Sequence, residues 1–198
     1  MKKNDEHGKY RTIIIDPPWT VRNNFRDLRF YRMGKPMQYS LMSDNEIMDF
    51  PINSFAANNC DLFLWAITSK IPLCFKILEN WKFRYVDFIA WDKEIGTPVN
   101  GIYRKVEWVI YAYRGKMGIN KRGKFIPSLI REKRTYHSRK PNIFYEILRD
   151  NTHEPRIDIF AREKRDGFDG WGNEYIKETL LTKDIIKHDG CWMGGFDE

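Results

Sequence analysis

Asp16, Pro17, Pro18 and Trp19 follow directly on Ile13-Ile14-Ile15. Together they place a carboxylate, a stiff backbone and a flat aromatic at the end of an apolar run. Three β-branched residues in succession predict a short buried strand of an α/β sheet, and such sheets bind ligands beyond the carboxyl ends of their strands. Neither proline can continue a ladder; each fixes its own φ and biases the residue before it toward extended backbone. The Asp16 carboxylate and the Pro17 carbonyl become two fixed acceptors, suited to the two N–H groups of an exocyclic amine such as that of adenine. That amine is a poor nucleophile because its lone pair is delocalised into the ring, and two acceptors favour a pyramidal nitrogen with a directed lone pair. Trp19 offers a face on which a base can stack, worth about 1–3 kcal/mol. The competing reading is a proline-stiffened turn with a buried tryptophan.

The segments on either side must position this tetrapeptide and bring it a partner. Residues 20–39 have no helical or strand period and interleave Arg22, Arg26, Arg29, Arg32 and Lys35 with Phe25, Phe30 and Tyr31. Such a loop suits nucleic acid, cations for phosphates and rings for bases; the alternative is a solvated loop. Ser43 with Glu46 has capping-box spacing and predicts a short helix. Residues 61–67 read as a second buried strand and 70–81 as a helix, while 83–91 and 106–113 are rich in strand formers. Beyond them, Arg114, Lys116, Lys121, Arg122 and Lys124 predict a basic, Gly-broken hairpin tip returning through Phe125 to Ile130, either a second phosphate contact or a solvated turn. Pro141 suits the first turn of a helix over 142–149, whose free N–H groups form an anion site to which Lys140 adds charge. Arg156 to Arg162 read as a strand, and Asn173 and Glu174 leave a Gly-rich turn with side chains suited to sugar hydroxyls. A helix to about residue 187 and a tail over 188–198 follow.

Length and charge narrow the classes. A chain of 198 residues is most simply one domain, its core over about 10–176. Lys and Arg total 34 against 27 Asp and Glu, a net charge of +7 that favours an anionic partner. Three scattered cysteines, Cys60, Cys74 and Cys191, indicate neither a disulfide framework nor a zinc site and suit a reducing cytoplasm. No stretch is long and apolar enough to span a membrane, the first residues are too polar for a secretory signal, and the histidines lack ligand spacing for a metal.

Five blocks in order resemble the MT-A70 family of adenine-N6 methyltransferases, relatives of the eukaryotic mRNA adenosine methyltransferase and of bacterial and phage DNA methylases. They are Asp16 to Trp19, Leu62 to Trp65, Arg104 to Glu107 with Arg114 to Lys116, His137 to Pro141, and Ile157 to Arg162 with Trp171 to Glu174. The resemblance implies an α/β, Rossmann-like class I methyltransferase of permuted, β-class motif order, with S-adenosyl-L-methionine as donor and S-adenosyl-L-homocysteine as product. It implies that Asp16, Pro17, Pro18 and Trp19 are catalytic, and that Asp16, Ser138, Lys140, Arg162, Asn173 and Glu174 meet the cofactor. Trp19, Arg22, Arg26, Glu107, Lys116, Lys121 and Arg122 are then the expected substrate contacts, with no metal. A lone Asp158 reads equally as a site residue or as a carboxylate satisfying backbone donors. The expected acceptor is adenine in DNA ahead of RNA, in a bacterial or phage-encoded enzyme whose specificity comes from the two loops or from a second copy or partner subunit. The alternatives are a non-catalytic nucleic-acid-binding subunit, which an intact Asp-Pro-Pro-Trp opposes, and methylation of a protein or small-molecule amine.

Overall fold

A computed structural model describes residues 9–20, 41–99, 101–119, 125–134 and 139–172. Seven strands form one sheet, in the order β5-β3-β4-β2-β1-β6-β7. β1 (Tyr10–Ile15) lies between β2 (Ala56–Ala66) and β6 (Arg156–Ile159), parallel to both, and β7 (Asp169–Trp171) adds parallel to β6. β4 (Ile102–Arg114) runs antiparallel between β2 and β3 (Arg84–Val99), and β5 (Leu129–Arg131) closes the far edge parallel to β3.

The period-two alternation of strand side chains sorts the core onto two faces. Ile13, Ile15, Leu62, Leu64, Ile110 and Ile159 pack on one side with Ile47, Phe50, Ile77 and Trp81, which belong to or adjoin α1 (Asp44–Met48), α2 (Ile52–Phe55) and α3 (Ile71–Asn80). Ile14, Phe63, Trp65, Val109 and Tyr111 pack on the other with Phe144 and Leu148 of α4 (Asn142–Asn151). The Ser43 capping box forms in full: the Ser43 hydroxyl accepts the Glu46 N–H, and the Glu46 carboxylate accepts that of Ser43.

Two expectations are corrected. The hairpin is β3–β4 itself, with Val99 paired to Ile102, and among the described residues β5 does not pair with β4. Arg114, at the end of β4, pairs with Cys60 of β2, and the next described strand lies on the outer side of β3, where Leu129, Ile130 and Arg131 pair in parallel with Ala90, Trp91 and Asp92. The described start of the supposed basic tip lies against the amino end of β2: Gly115, at φ +68, sits so close to Asn58 that an added Cβ would lie 2.3 Å from the Asn58 carbonyl. Arg114 spends its guanidinium on the Ala56 and Ala57 carbonyls and Asn53 Oδ1. The second correction concerns the start of α4, whose N–H groups at Asn142 and Ile143 donate to the Glu132 carboxylate at 2.9 and 3.0 Å. The anion at that helix end is the chain's own.

Candidate active site

β1 is the point where the chain reverses direction across the sheet, since it leaves for β2 on one side and β6 arrives on the other. Parallel α/β sheets open a crevice at such a point, at the carboxyl ends of the strands. Asp16 stands there. Its backbone N–H donates to the Ile159 carbonyl at 3.3 Å, tying the end of β1 to that of β6. The alternation that sends Ile15 to the α1–α3 face sends Asp16 to the α4 face, where Lys140 waits just before the helix.

Lys140 Nζ lies 3.2 Å from Asp16 Oδ1 and 2.9 Å from Glu107 Oε2, and 4.4 Å above the Trp65 ring. Glu107 comes from β4, and its Oε1 pairs with Lys93 of β3 at 3.2 Å. Burial pushes the Asp16 carboxyl above its usual range, Lys140 and Arg162 pull it down, and Glu107 pushes it up. Burial alone would raise Glu107 as well, but Lys140 and Lys93 together overcome it and hold that carboxyl at about 2. Lys140 has the opposite balance: burial opposes its charge, and the two carboxylates more than restore it.

A cavity of about 330 Å³ opens beside Asp16, lined by Lys140, Tyr145, Asp158, Phe160, Arg162 and Arg165 among others. Asp158, on β6, accepts the Tyr145 hydroxyl at 2.8 Å; burial lifts its carboxyl to about 7, with the Asp16 charge adding to the rise. Arg165 stacks over the Tyr145 ring at 4.2 Å, donates to the Lys140 carbonyl and pairs with Glu163, while its buried Nε has no partner. Phe160 takes a left-handed φ of +65, uncommon for an aromatic residue and of the kind found at binding sites. Ala161 N–H then donates to the Trp171 carbonyl, and Gly172 packs so tightly on Ala161 that a Cβ would lie 2.7 Å from its carbonyl oxygen.

The structure gathers Asp16, Pro17, Glu107, Lys140 and Arg162 at this end of the sheet. Arg22, Arg26, Lys121, Arg122, Ser138, Asn173 and Glu174 lie outside the described residues. Lys116 is not brought to this group: β4 carries the chain from Glu107 at the carboxyl end to Arg114, about 23 Å along the strand at the opposite end, where Lys116 N–H donates to Asn59 Oδ1. Trp19 departs from its expectation too. It is 7% exposed, packs in the core of the α1–α3 face and donates its indole N–H to the Trp65 carbonyl at 3.1 Å. As described, it anchors the tetrapeptide to β2 and presents no open stacking face. Pro17 keeps one lone pair for a ligand, since its carbonyl already accepts the Trp19 N–H at 2.8 Å. Sequence reasoning missed Lys93, Tyr145, Glu163 and Arg165 as site residues. Only Glu163 and Arg165, just beyond the Arg162 block, had a local signal.

An α/β sheet of this order, with its acidic strand end ahead in sequence of the strand that lines the crevice, is that of a Rossmann-like methyltransferase with permuted motifs. The chain belongs to the MT-A70 family, which it matches over residues 10–174, and is thereby an S-adenosylmethionine-dependent adenine-N6 methyltransferase. It is similar to the Type II methyltransferase M.MunI of a Mycoplasma species, at 25% identity over 84% of this chain and 78% of the relative. Mouse METTL4, named an N(6)-adenine-specific methyltransferase, is 26% identical over 92% of this chain and 41% of its own length. The N6-methyladenosine RNA methyltransferase MTA1 of Cryphonectria parasitica is 30% identical over 83% of this chain and 51% of its own. Among the described residues no helix is long and apolar enough to cross a membrane, and Cys60 and Cys74 are free thiols.

The crevice suits the donor that the family uses. S-adenosylmethionine combines an amino-acid zwitterion, a ribose diol and a purine, and the crevice interleaves Asp16, Asp158 and Glu163 with Lys140, Arg139, Arg162 and Arg165 beside the Phe160 ring. The unpartnered Arg165 Nε is a buried donor of the kind such a polar ligand can satisfy.

Proposed function

We propose that this enzyme methylates the N6 amine of adenine in DNA, with Asp16 and Pro17 as the groups that hold the amine. The observation that carries this reading is Asp16 at the switch point of the sheet, its Oδ1 engaged by Lys140 and its side chain lining the crevice. Asp16 Oδ2 and the Pro17 carbonyl accept the two amine hydrogens and aim the nitrogen lone pair along the line of transfer. Such alignment can supply several kcal/mol of barrier reduction, up to about 7–11 in favourable cases. When bound, S-adenosylmethionine supplies a methyl carbon already activated by its positive sulfur. Lys140, Asp158 and Arg162 are the described residues placed to hold it. Asp16 need not remove a proton before attack, because the nitrogen becomes acidic only as it gains the methyl group; Oδ2 keeps the departing proton as positive charge develops.

The nearly mutual coverage with the Mycoplasma Type II methyltransferase supports DNA; likeness to the RNA methyltransferase MTA1 keeps RNA as the second reading. In duplex substrate the base must leave the stack, at a cost of about a few kcal/mol. Base specificity then rests on the segment over 20–39, which beyond Thr20 lies outside the described residues, or on a second copy or partner subunit, and we place the enzyme in the cytoplasm. The test is tritiated methyl transfer to matched DNA and RNA, single- and double-stranded, followed by nucleoside mass spectrometry. N6-methyldeoxyadenosine from DNA is the expected product; methylated cytosine alone would overturn the adenine assignment.

A further inference from the structure

Lys93 is buried where lysines seldom are. The alternation that turns Ile89 and Trp91 toward the α4 face of β3 continues to Lys93, 7% exposed, and a buried ammonium needs a counter-charge. It finds one in Glu107, and through Glu107 it joins a row of alternating charge, Lys93–Glu107–Lys140–Asp16, with successive contacts of 3.2, 2.9 and 3.2 Å. The backbone around it is built to keep it there. The β3–β4 register shifts between Asp92 and Thr97, immediately beyond the last regular pair, and bulges beside active sites are a recurrent way to aim side chains. Glu94 takes a left-handed φ of 61, held by its N–H donating to Asp92 Oδ1 at 2.9 Å. The Lys93 carbonyl accepts the Arg134 N–H at 3.2 Å, which pins the same residue to the chain leaving β5.

We propose that Lys93 is a positioning residue for methyl transfer: by neutralising Glu107 it leaves Lys140 to hold the Asp16 carboxylate in place and ionised. The inference rests on the role proposed above for Asp16. With Lys93 present, Glu107 is shared by two cations; without it, one ammonium must serve two carboxylates. Lys140 is then drawn toward Glu107, and Asp16 faces a less compensated negative charge. The charged and titratable groups around Asp16 are Lys140 before α4, Glu107 on β4, Arg162 after β6, Asp158 on β6 and Tyr145 on α4. Those around Glu107 are Lys140, Lys93 and Asp16. Since Glu107 already pushes the Asp16 carboxyl upward, loss of Lys93 pushes it further, and the acid limb of the rate profile moves to higher pH.

The experiment compares the full-length wild type with Lys93→Met, Lys93→Arg and the control Lys76→Met, at an exposed position of α3. Two measurements are made: kcat and KM for methyl transfer to adenine oligonucleotides across pH, and the titration of the Asp16 carboxyl carbon by NMR in aspartate-labelled protein. Lys93→Met is expected to lower kcat about ten- to a hundredfold with a smaller change in KM and to raise the Asp16 midpoint by about half a pH unit or more. Lys93→Arg restores most of both, and Lys76→Met changes neither. An unmoved Asp16 midpoint, or a fall in kcat that arginine does not rescue, would overturn the proposal as mere packing. If Lys93→Met does not fold, Lys93→Gln takes its place in the titration. If the wild type methylates none of the polymers, the proposed function fails, and the Asp16 titration still decides the role of Lys93.

Discussion

Two aspartates stand toward opposite ends of this sheet, and their surroundings differ in kind. Asp61, midway along β2 and level with Thr12 of β1, is 1% exposed and accepts from two neutral donors, the Tyr111 hydroxyl at 2.8 Å and the Gly118 N–H at 3.0 Å. The chain closes tightly over it, for a Cβ on Gly118 would lie 2.4 Å from Asp61 Oδ2. Asp16, at the carboxyl end of β1, keeps 19% of its side chain exposed, shares one cation with a second carboxylate and borders a cavity. Burial raises both carboxyls. What separates them is whether the remaining hydrogen-bonding capacity points into protein or into open space. A carboxylate sealed by fixed neutral donors ties loops together; one held by shared charges at the mouth of a crevice can accept from a substrate.

The sharpest way to break that contrast is to delete each carboxylate. Asp16→Ala is expected to reduce methyl transfer by about a thousandfold or more, while S-adenosylmethionine affinity by calorimetry falls less than about tenfold because Lys140 keeps Glu107 as its partner. Retained transfer in that variant would sink the proposed mechanism. Asp61→Ala leaves the Tyr111 hydroxyl and Gly118 N–H buried without an acceptor, at about 2–4 kcal/mol of unfolding free energy. Its kcat per folded molecule stays within about twofold of wild type. Denaturant melts read the first quantity, and a larger loss of kcat than of stability would place Asp61 in the site.

The sequence pattern disclosed one of these ends far better than the other. The buried β1, the capping box at Ser43 and the carboxyl-end placement of Asp16 depend on neighbours in sequence, so local pattern sufficed. Lys93 was hidden because a single lysine in a basic chain has no local mark; its meaning comes from β4 and from the residues before α4. An aromatic beside an acid suits a base, and no local pattern shows that the Trp65 carbonyl accepts the Trp19 indole N–H or that the ring packs in the core of the α1–α3 face. Lys116 lies apart from Asp16 for a topological reason: an antiparallel strand between two parallel ones carries its carboxyl end to the other side of the sheet. Glu132, filling the α4 anion site from outside the helix, follows from the parallel pairing of β5 that periodicity did not reveal.

A pH experiment sharpens the comparison within the crevice itself. The Asp158 carboxyl is raised to about 7 in the folded protein, so its contribution to stability is full below the ordinary carboxylate value near 4 and is lost as pH rises through about 7. Asp158→Asn keeps an acceptor for Tyr145 and removes the titration. The fall in melting temperature between pH 5 and pH 8 should be smaller in that variant than in wild type by roughly 3 °C or more. Equal falls would show that Asp158 is charged in the fold without cost.

The smallest expected effect tests the geography. If the chemistry is confined to the carboxyl end, removing a cation from the amino end should change substrate affinity little, although a basic tip is what composition alone would select for phosphates. Lys116 meets Asn59 through its backbone N–H, so Lys116→Ala preserves the contact that fixes its loop. The variant should bind an adenine-containing oligonucleotide within about twofold of wild type, and the slope of log affinity against log salt should change by much less than the roughly 0.7–0.9 that one lost phosphate contact produces. A full unit of slope would mean that the nucleic acid wraps from one end of the sheet to the other, and the division between the two aspartates would then mark two parts of one binding surface.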